Sequence, residues 1–287
     1  MASTAARCRL PALLAASIVL FITIPAERAG AGEEKEFRFV VYGGTDGGGA
    51  PHRAVVAQIA KLRPELVAHA GGLVGPSANI RQWQAFREAI EPIAAICSFY
   101  SCRGRDETTA VCDAREGFPN PPLKAQFYYS FDHRGVHFVF LDSELRVERE
   151  DPQTRWLAED LASAGGKPIV VFLYRAIFGA GGRNVLPNGE MSWHPLFVRH
   201  KVRAVFCAAR RLYHRTSQDG VAYIITGGGG GTLDPVMARR QLMFGDASGS
   251  FNHCIEVTVS ADEIRCRVVD TEGKTRDEFL LPIPAKP

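Results

Sequence analysis

The chain has 287 residues, a formal net charge of +3, 46% hydrophobic residues and 23% charged residues. These are globular proportions, and they exclude a disordered chain, a collagen and a polytopic membrane protein. The length allows one large domain or two small ones with a sizeable core, and the slight basic excess is too weak to point to nucleic acid.

The N-terminus comes first in chain order. Arg7 and Arg9 precede an apolar run over 10–24, and Ala29-Gly30-Ala31 then offers small residues. That is the order of a secretory signal with its cleavage point. The run falls short of the roughly 20 apolar residues of a full span. We read a cleaved signal over 1–31 and an exported (periplasmic or secreted) chain, with an uncleaved anchor as the alternative. Of seven cysteines, Cys8 lies in this segment. Cys97, Cys102, Cys112, Cys207, Cys254 and Cys266 remain, an even number that permits disulfides in an exported chain. Cys102 and Cys112 flank a short polar loop and are the easiest pair, but the spacing fixes no connectivity. The chain has no C-x-x-C pair, which argues against a zinc site.

From residue 32 onward the patterns of strands and helices alternate. Residues 37–42 form a short apolar strand ending in Gly43-Gly44. Residues 52–62 read as a helix with Val55, Ile59 and Leu62 on one side. A second strand over 65–69 runs into Gly71-Gly72. Residues 79–94 are strongly amphipathic, with Asn79 as cap and Trp83, Phe86, Ile90 and Ile93 along one face. A third strand covers 96–100, and a polar, Pro-rich loop covers 101–124. Strands over 126–131 and 136–141 flank Asp132-His133-Arg134-Gly135, a hairpin signal. A helix over 152–164 has Pro near its first turn. A buried-type strand over 169–173 is followed by a Gly-rich loop and a short helix near 193–199. Strands follow over 204–207 and 221–226. The five glycines 227–231 must be a loop. A hairpin of 251–259 and 264–270 closes the chain, with 279–283 as an edge strand. We find no internal repeat and no linker, so 32–287 reads as one α/β domain.

Loops at the C-terminal ends of strands carry the chemistry of α/β folds. Here they read, in order, Gly43-Gly44-Thr45-Asp46, Gly71-Gly72, Gly104-Arg105-Asp106-Glu107, Tyr174-Arg175-Ala176 and Ala208-Ala209-Arg210-Arg211. With the hairpin Phe127-Tyr128-Tyr129-Ser130-Phe131 to Phe140-Leu141-Asp142-Ser143, this series over roughly 37–270 resembles the calcineurin-like metallophosphoesterases, most closely bacterial relatives of purple acid phosphatases. The resemblance implies a layered sandwich of two mixed β-sheets flanked by helices. It also implies two metal ions (divalent, or Fe, Mn or Zn) about 3.5–4 Å apart that clamp a phosphate ester for hydrolysis.

Each family frame is present, and its ligands are not. In Gly-Asp-x-His the Asp is Gly44 and the His is Asp46. In Gly-Asp, whose Asp bridges the metals, it is Gly72. In Gly-Asn-His-Glu the Asn is Arg105 and the His is Asp106. The His after the fourth strand is Tyr174. In Gly-His-x-His the imidazoles are Ala209 and Arg211. Glycine and alanine side chains carry no donor atoms, and arginine holds a fixed positive charge. Losing the bridge and the last two imidazoles should abolish the site.

Three readings follow. The leading one is a catalytically inactive homologue, a pseudoenzyme with no cofactor. The second is an active phosphoesterase with a rearranged site built from Asp46, His52, His69, Asp106, Glu107, Asp142 and His214. For most of these, packing or pairing is the ordinary role, and a hard metal wants several convergent donors. The third is a metal-free site for a phosphate-like anion, formed by Arg105, Arg175, Arg210 and Arg211 with Arg103 nearby. Asp46 and Asp106 oppose it by pairing with those arginines. Gly227–231 is no P-loop, because no Gly-Lys-Ser/Thr follows. No Gly-x-Ser-x-Gly elbow is present, and the aromatic residues do not interleave with basic ones as nucleic-acid stacking requires. We expect a shallow cleft at the strand ends, and no partner is legible.

Overall fold

A computed structural model describes residues 36–76, 79–107, 127–179, 185–236 and 246–283. The signal-like segment, Cys112 and most of the Pro-rich loop lie outside them. β1 (Phe37–Tyr42), β2 (Leu66–His69) and β3 (Ser98–Ser101) run parallel. Antiparallel strands β11 (His253–Val259), β12 (Glu263–Asp270) and β13 (Thr275–Pro282) complete a sheet ordered β13-β12-β11-β1-β2-β3.

The second sheet holds β4 (Tyr129–His133), β5 (Val136–Phe140), β6 (Ile169–Phe172), β7 (Ala204–Cys207), β8 (Tyr213–Gln218), β9 (Val221–Thr226) and β10 (Ala247–Gly249). Its order is β10-β8-β9-β7-β6-β5-β4, with β5, β6, β7 and β9 parallel. Both sheets are therefore mixed, as the resemblance implies.

Strand alternation divides the apolar residues between layers. Phe39 and Val41 of β1 belong to the core between the sheets, while Val40 and Tyr42 belong to the core beneath α1 (Ala50–Leu62) and α2 (Ile80–Ala94). The inter-sheet core holds a file of rings, with Phe140–Phe172 centroids at 4.6 Å and Phe172–Phe206 at 5.5 Å. Burying each such ring contributes about 1.5–3 kcal/mol. The outer face of the second sheet packs on α3 (Pro152–Ser163), α4 (Gly189–Ser192) and α5 (His194–Arg199) through Leu157, Leu161, Trp193 and Phe197.

Local signals set the element ends. Asn79 caps α2 by accepting from the Gln82 N–H at 3.1 Å, a contact worth about 1 kcal/mol. α1 ends where Arg63 turns left-handed, at φ 48°, just ahead of Pro64. Two strands are additions to the sequence reading. β8 pairs antiparallel with β9 across Asp219-Gly220, both at positive φ, so the Asp-Gly hairpin signal was there to be read. β10 is a three-residue edge strand against β8. α4 likewise extends the expected helix near 193–199 backward. Cys97, Cys102, Cys207, Cys254 and Cys266 are free thiols.

Candidate functional site

The loops after β1 and β2 meet at the strand ends and zip together through the backbone. Gly44 N–H donates to the Gly71 carbonyl at 3.0 Å, Thr45 N–H to Gly72 at 2.8 Å and Gly47 N–H to Leu73 at 2.9 Å. Gly44 and Gly72 hold φ of +68° and +71°, in the left-handed region that glycine tolerates best. A cost relative to alanine, expected had they lain in regular structure, therefore does not arise.

There is also little space for a side chain. A Cβ on Gly44 would lie 2.5 Å from the Gly227 carbonyl oxygen. A Cβ on Gly72 would lie 3.1 Å from Tyr174 Cε2 and 3.3 Å from the Gly44 Cα. Tyr174, after β6, is buried with Ala70, Ala208 and Ala209 in a small apolar cluster. Burial pushes the Tyr174 hydroxyl up to about 12, with Arg211 pulling the other way, so at neutral pH it is a protonated phenol. Four positions where the resemblance would put ligands, Gly44, Gly72, Tyr174 and Ala209, are thus packed.

Around this filled centre the charged residues pair. Arg211 grips Asp46 with both Nε and Nη2, at 2.6 and 2.8 Å. Arg210 turns to Asp234 at 2.9 Å, and Asp234 also accepts the Arg211 backbone N–H. Arg175 makes a two-pronged pair with Glu144, both contacts at 2.7 Å. Arg103 meets Asp142 at 2.7 Å, with its guanidinium over the Phe127 ring. Bidentate charge-assisted pairs of this kind are the stronger ones.

Arg105 lies on an exposed turn with Asp106. Partial burial raises the Asp106 carboxyl, and Arg105 and Arg211 counter this against Asp46 and Glu144. Asp46, Arg105, Asp106, Tyr174 and Arg211 are thus brought together, whereas Arg210 faces Asp234. Asp234 was not a sequence candidate, since a lone Asp beyond the glycine run carries no pattern.

The remaining candidates disperse into packing roles. His52 donates from Nδ1 to the Gly47 carbonyl at 2.7 Å, and its Nε2 lies 3.3 Å from the Tyr42 hydroxyl. Burial pulls its pKa down to about 4. His69 Nδ1 accepts from the Gly71 N–H at 3.2 Å, which leaves the proton on Nε2. The Tyr42 and Phe99 rings surround it, and burial lowers its pKa. Glu107 is buried and accepts from the N–H groups of Val74 and Gly104. Asp142 accepts from the Glu144 N–H at 2.9 Å. His214 is buried on β8 against Gly179, and desolvation lowers its pKa against the opposing pull of Asp246.

Among the described residues, no three His, Cys, Asp or Glu side chains form a group able to hold a metal ion. The donor set at the strand ends is two glycines, an alanine, a protonated phenol, two arginines and two aspartates, of which Asp46 is committed to Arg211. It does not fit a two-metal centre. A cavity of about 330 Å³ opens to one side of the strand ends, lined by Ser143, Glu144, Val147, Arg175 and Leu186. Tyr174 and the touching glycine loops take up the space at the strand ends themselves.

No protein-family model matches the chain. In sequence it is similar to a nucleotide pyrophosphatase/phosphodiesterase of Hordeum vulgare, 22% identical over 214 residues that cover 59% of this chain and 58% of the relative. The chain spans less than two thirds of the length of the curated relatives it matches. In structure it is similar to purple acid phosphatase PPD1 from yellow lupin (Lupinus luteus) seeds, with a TM-score of 0.76 at 17% identity, covering 86% of this chain and 54% of the other. It is also similar to GAP50, the anchor in the inner membrane complex of Plasmodium, with a TM-score of 0.69 at 15% identity, covering 88% and 90%. The chain has a distant metallophosphoesterase-like fold of the purple acid phosphatase kind, without a metal-binding cluster among its described residues.

Proposed function

We propose that this chain is a non-catalytic metallophosphoesterase homologue, an exported pseudoenzyme that uses the fold as a scaffold. The observation that carries this reading is the filled centre. Tyr174 packs against Gly71 and Gly72, where the resemblance would place a bridging carboxylate and its metals. Two-metal hydrolysis needs a clamp for the attacking and leaving oxygens, and the described groups at these strand ends form no cluster of three ligands. The likeness to a protein called an anchor supports a binding use of the scaffold. The basic and apolar N-terminal pattern supports export, and no helix among the described residues is long and apolar enough to cross a membrane.

Elemental analysis tests the reading. The purified chain is loaded with Mn, Fe and Zn, dialysed at neutral pH, and assayed on phosphate mono- and diesters. We expect fewer than about 0.1 metal per chain, because affinity follows the ligand count, and no hydrolysis above background. One or two tightly held metals, or metal-dependent turnover, would replace this reading with an active phosphoesterase whose site is rearranged.

A further inference from the structure

The second sheet ends in the hairpin β4–β5, and β4 is its edge strand. Tyr129 and Phe131 of β4 pack toward the inter-sheet core. The alternate residues Ser130 and Asp132 face outward, toward α3, and engage polar partners. His137 of β5 lies between them, buried, with Nδ1 2.8 Å from Asp132 Oδ1 and Nε2 2.9 Å from Asp160 Oδ2 of α3. Ser130 donates its hydroxyl to the other Asp160 oxygen, and Lys167, just beyond α3, lies 3.3 Å from the other Asp132 oxygen. Asp132, Asp160 and Lys167 are the charged groups that face this imidazole from β4, from α3 and from the turn that follows it.

Carboxylates only accept, so both ring nitrogens must donate, and only the imidazolium carries two N–H groups. A neutral ring would leave a lone pair facing a carboxylate oxygen. Ser130 holds the second oxygen of Asp160, and Lys167 lies beside the second oxygen of Asp132. We propose that His137 is a protonation-controlled clamp: as imidazolium it ties the edge hairpin to α3, and as neutral imidazole it releases β4.

The titration has a definite sign. Burial alone would lower the His137 pKa, but the contacts with Asp160 and Asp132 override it and the pKa is raised. The Asp132 carboxyl is lowered, first by its bond to His137. A raised histidine stabilises the fold fully below its unfolded pKa of about 6.5, and that contribution is lost as pH rises through the folded value. The contact from the lowered Asp132 persists on the acid side and is lost as pH falls through its depressed pKa. The clamp is closed between these limits.

The test is NMR on the whole chain. The His137 ring is titrated through its Cε1 and nitrogen resonances, and amide exchange protection is followed in β4, β1 and β11. We expect a midpoint above 6.5, both ring N–H protons present below it, and β4 protection that falls across it while β1 and β11 hold. Each unit of elevation corresponds to about tenfold in the opening equilibrium. Asp160→Asn should lower the midpoint, and His137→Gln should make β4 protection indifferent to pH over this range. A midpoint at or below 6.5, unchanged β4 protection across it, or equal loss in all three strands overturns the clamp. The wild-type titration decides the matter even where a variant fails to fold.

Discussion

The space between the two sheets and the loops at their strand ends answer to different physical demands. Between the sheets, Phe39, Phe138, Phe140, Phe172 and Phe206 interdigitate in a core that only has to be apolar and of the right volume, a demand many sequences meet. At the strand ends, two-metal chemistry would need particular donor atoms at particular positions. Those positions now hold Gly44, Gly72, Tyr174, Ala209 and the Asp46–Arg211 pair. A packing demand is spread over many residues and tolerates many substitutions, whereas a ligand set rests on a handful of donor atoms. The comparison predicts that the molecule depends strongly on the first region and weakly on the polar groups of the second.

The largest effect belongs to the core. Phe172 is fully buried and contacts the rings of Phe138, Phe140 and Phe206. Phe172→Ala removes these contacts and leaves a cavity, so urea unfolding should show a loss of about 3–5 kcal/mol. A loss under about 1 kcal/mol would mean that the ring file repacks freely, and the asymmetry between the regions would go with it.

The same asymmetry governs what was legible in the sequence. The core strands and α2 announce themselves through periodicity: Trp83, Phe86, Ile90 and Ile93 all lie on the buried face, and Asn79 caps as expected. β8 escaped because Tyr213–Gln218 is rich in polar residues that find partners, such as the Tyr213 hydroxyl on Asp277 at 2.6 Å. Periodicity reports water contact and is silent on polar groups satisfied inside. At the site, the substitutions could be read residue by residue against the motif frames of the resemblance. The filling of the gap could not. That Tyr174 would turn inward and that Arg210 would choose Asp234 depends on atoms brought together from four separate loops.

A middle-sized effect sharpens the comparison by trying to reverse the loss. Gly72→Asp restores a carboxylate in name only. The new side chain must adopt a left-handed backbone at φ +71° and push against Tyr174 and Gly44. Strain of this kind costs about 1–3 kcal/mol, so thermal unfolding should move down and elemental analysis should still find no bound metal. Recovery of metal binding from this one change would show a plastic centre and place the loss in side chains alone. Stability at or above wild type would argue that Tyr174 swings out easily.

The smallest effect is that of the Asp46–Arg211 pair, and it separates two accounts of the polar rim. Both side chains are about three-quarters buried, at 23% and 24% relative exposure, and the contact is bidentate. The pair joins the loop after β1 in one sheet to the loop after β7 in the other. If it fastens the sheets where a metal centre would have done so, a double-mutant cycle with Asp46→Asn and Arg211→Met should give a coupling of about 1 kcal/mol. Partial exposure makes part of that coupling sensitive to salt. If the rim is only a solvated remnant, the coupling should be close to zero and the single variants silent. The single variants carry a further asymmetry. Asp46→Asn leaves a largely buried guanidinium without its carboxylate, although Asp234 stays close enough to favour its charge. Arg211→Met instead leaves Asp46 facing Asp106, whose carboxyl burial and neighbouring acids already raise. The arginine deletion should therefore be the more costly of the two, because like charge accumulates where compensation has been removed.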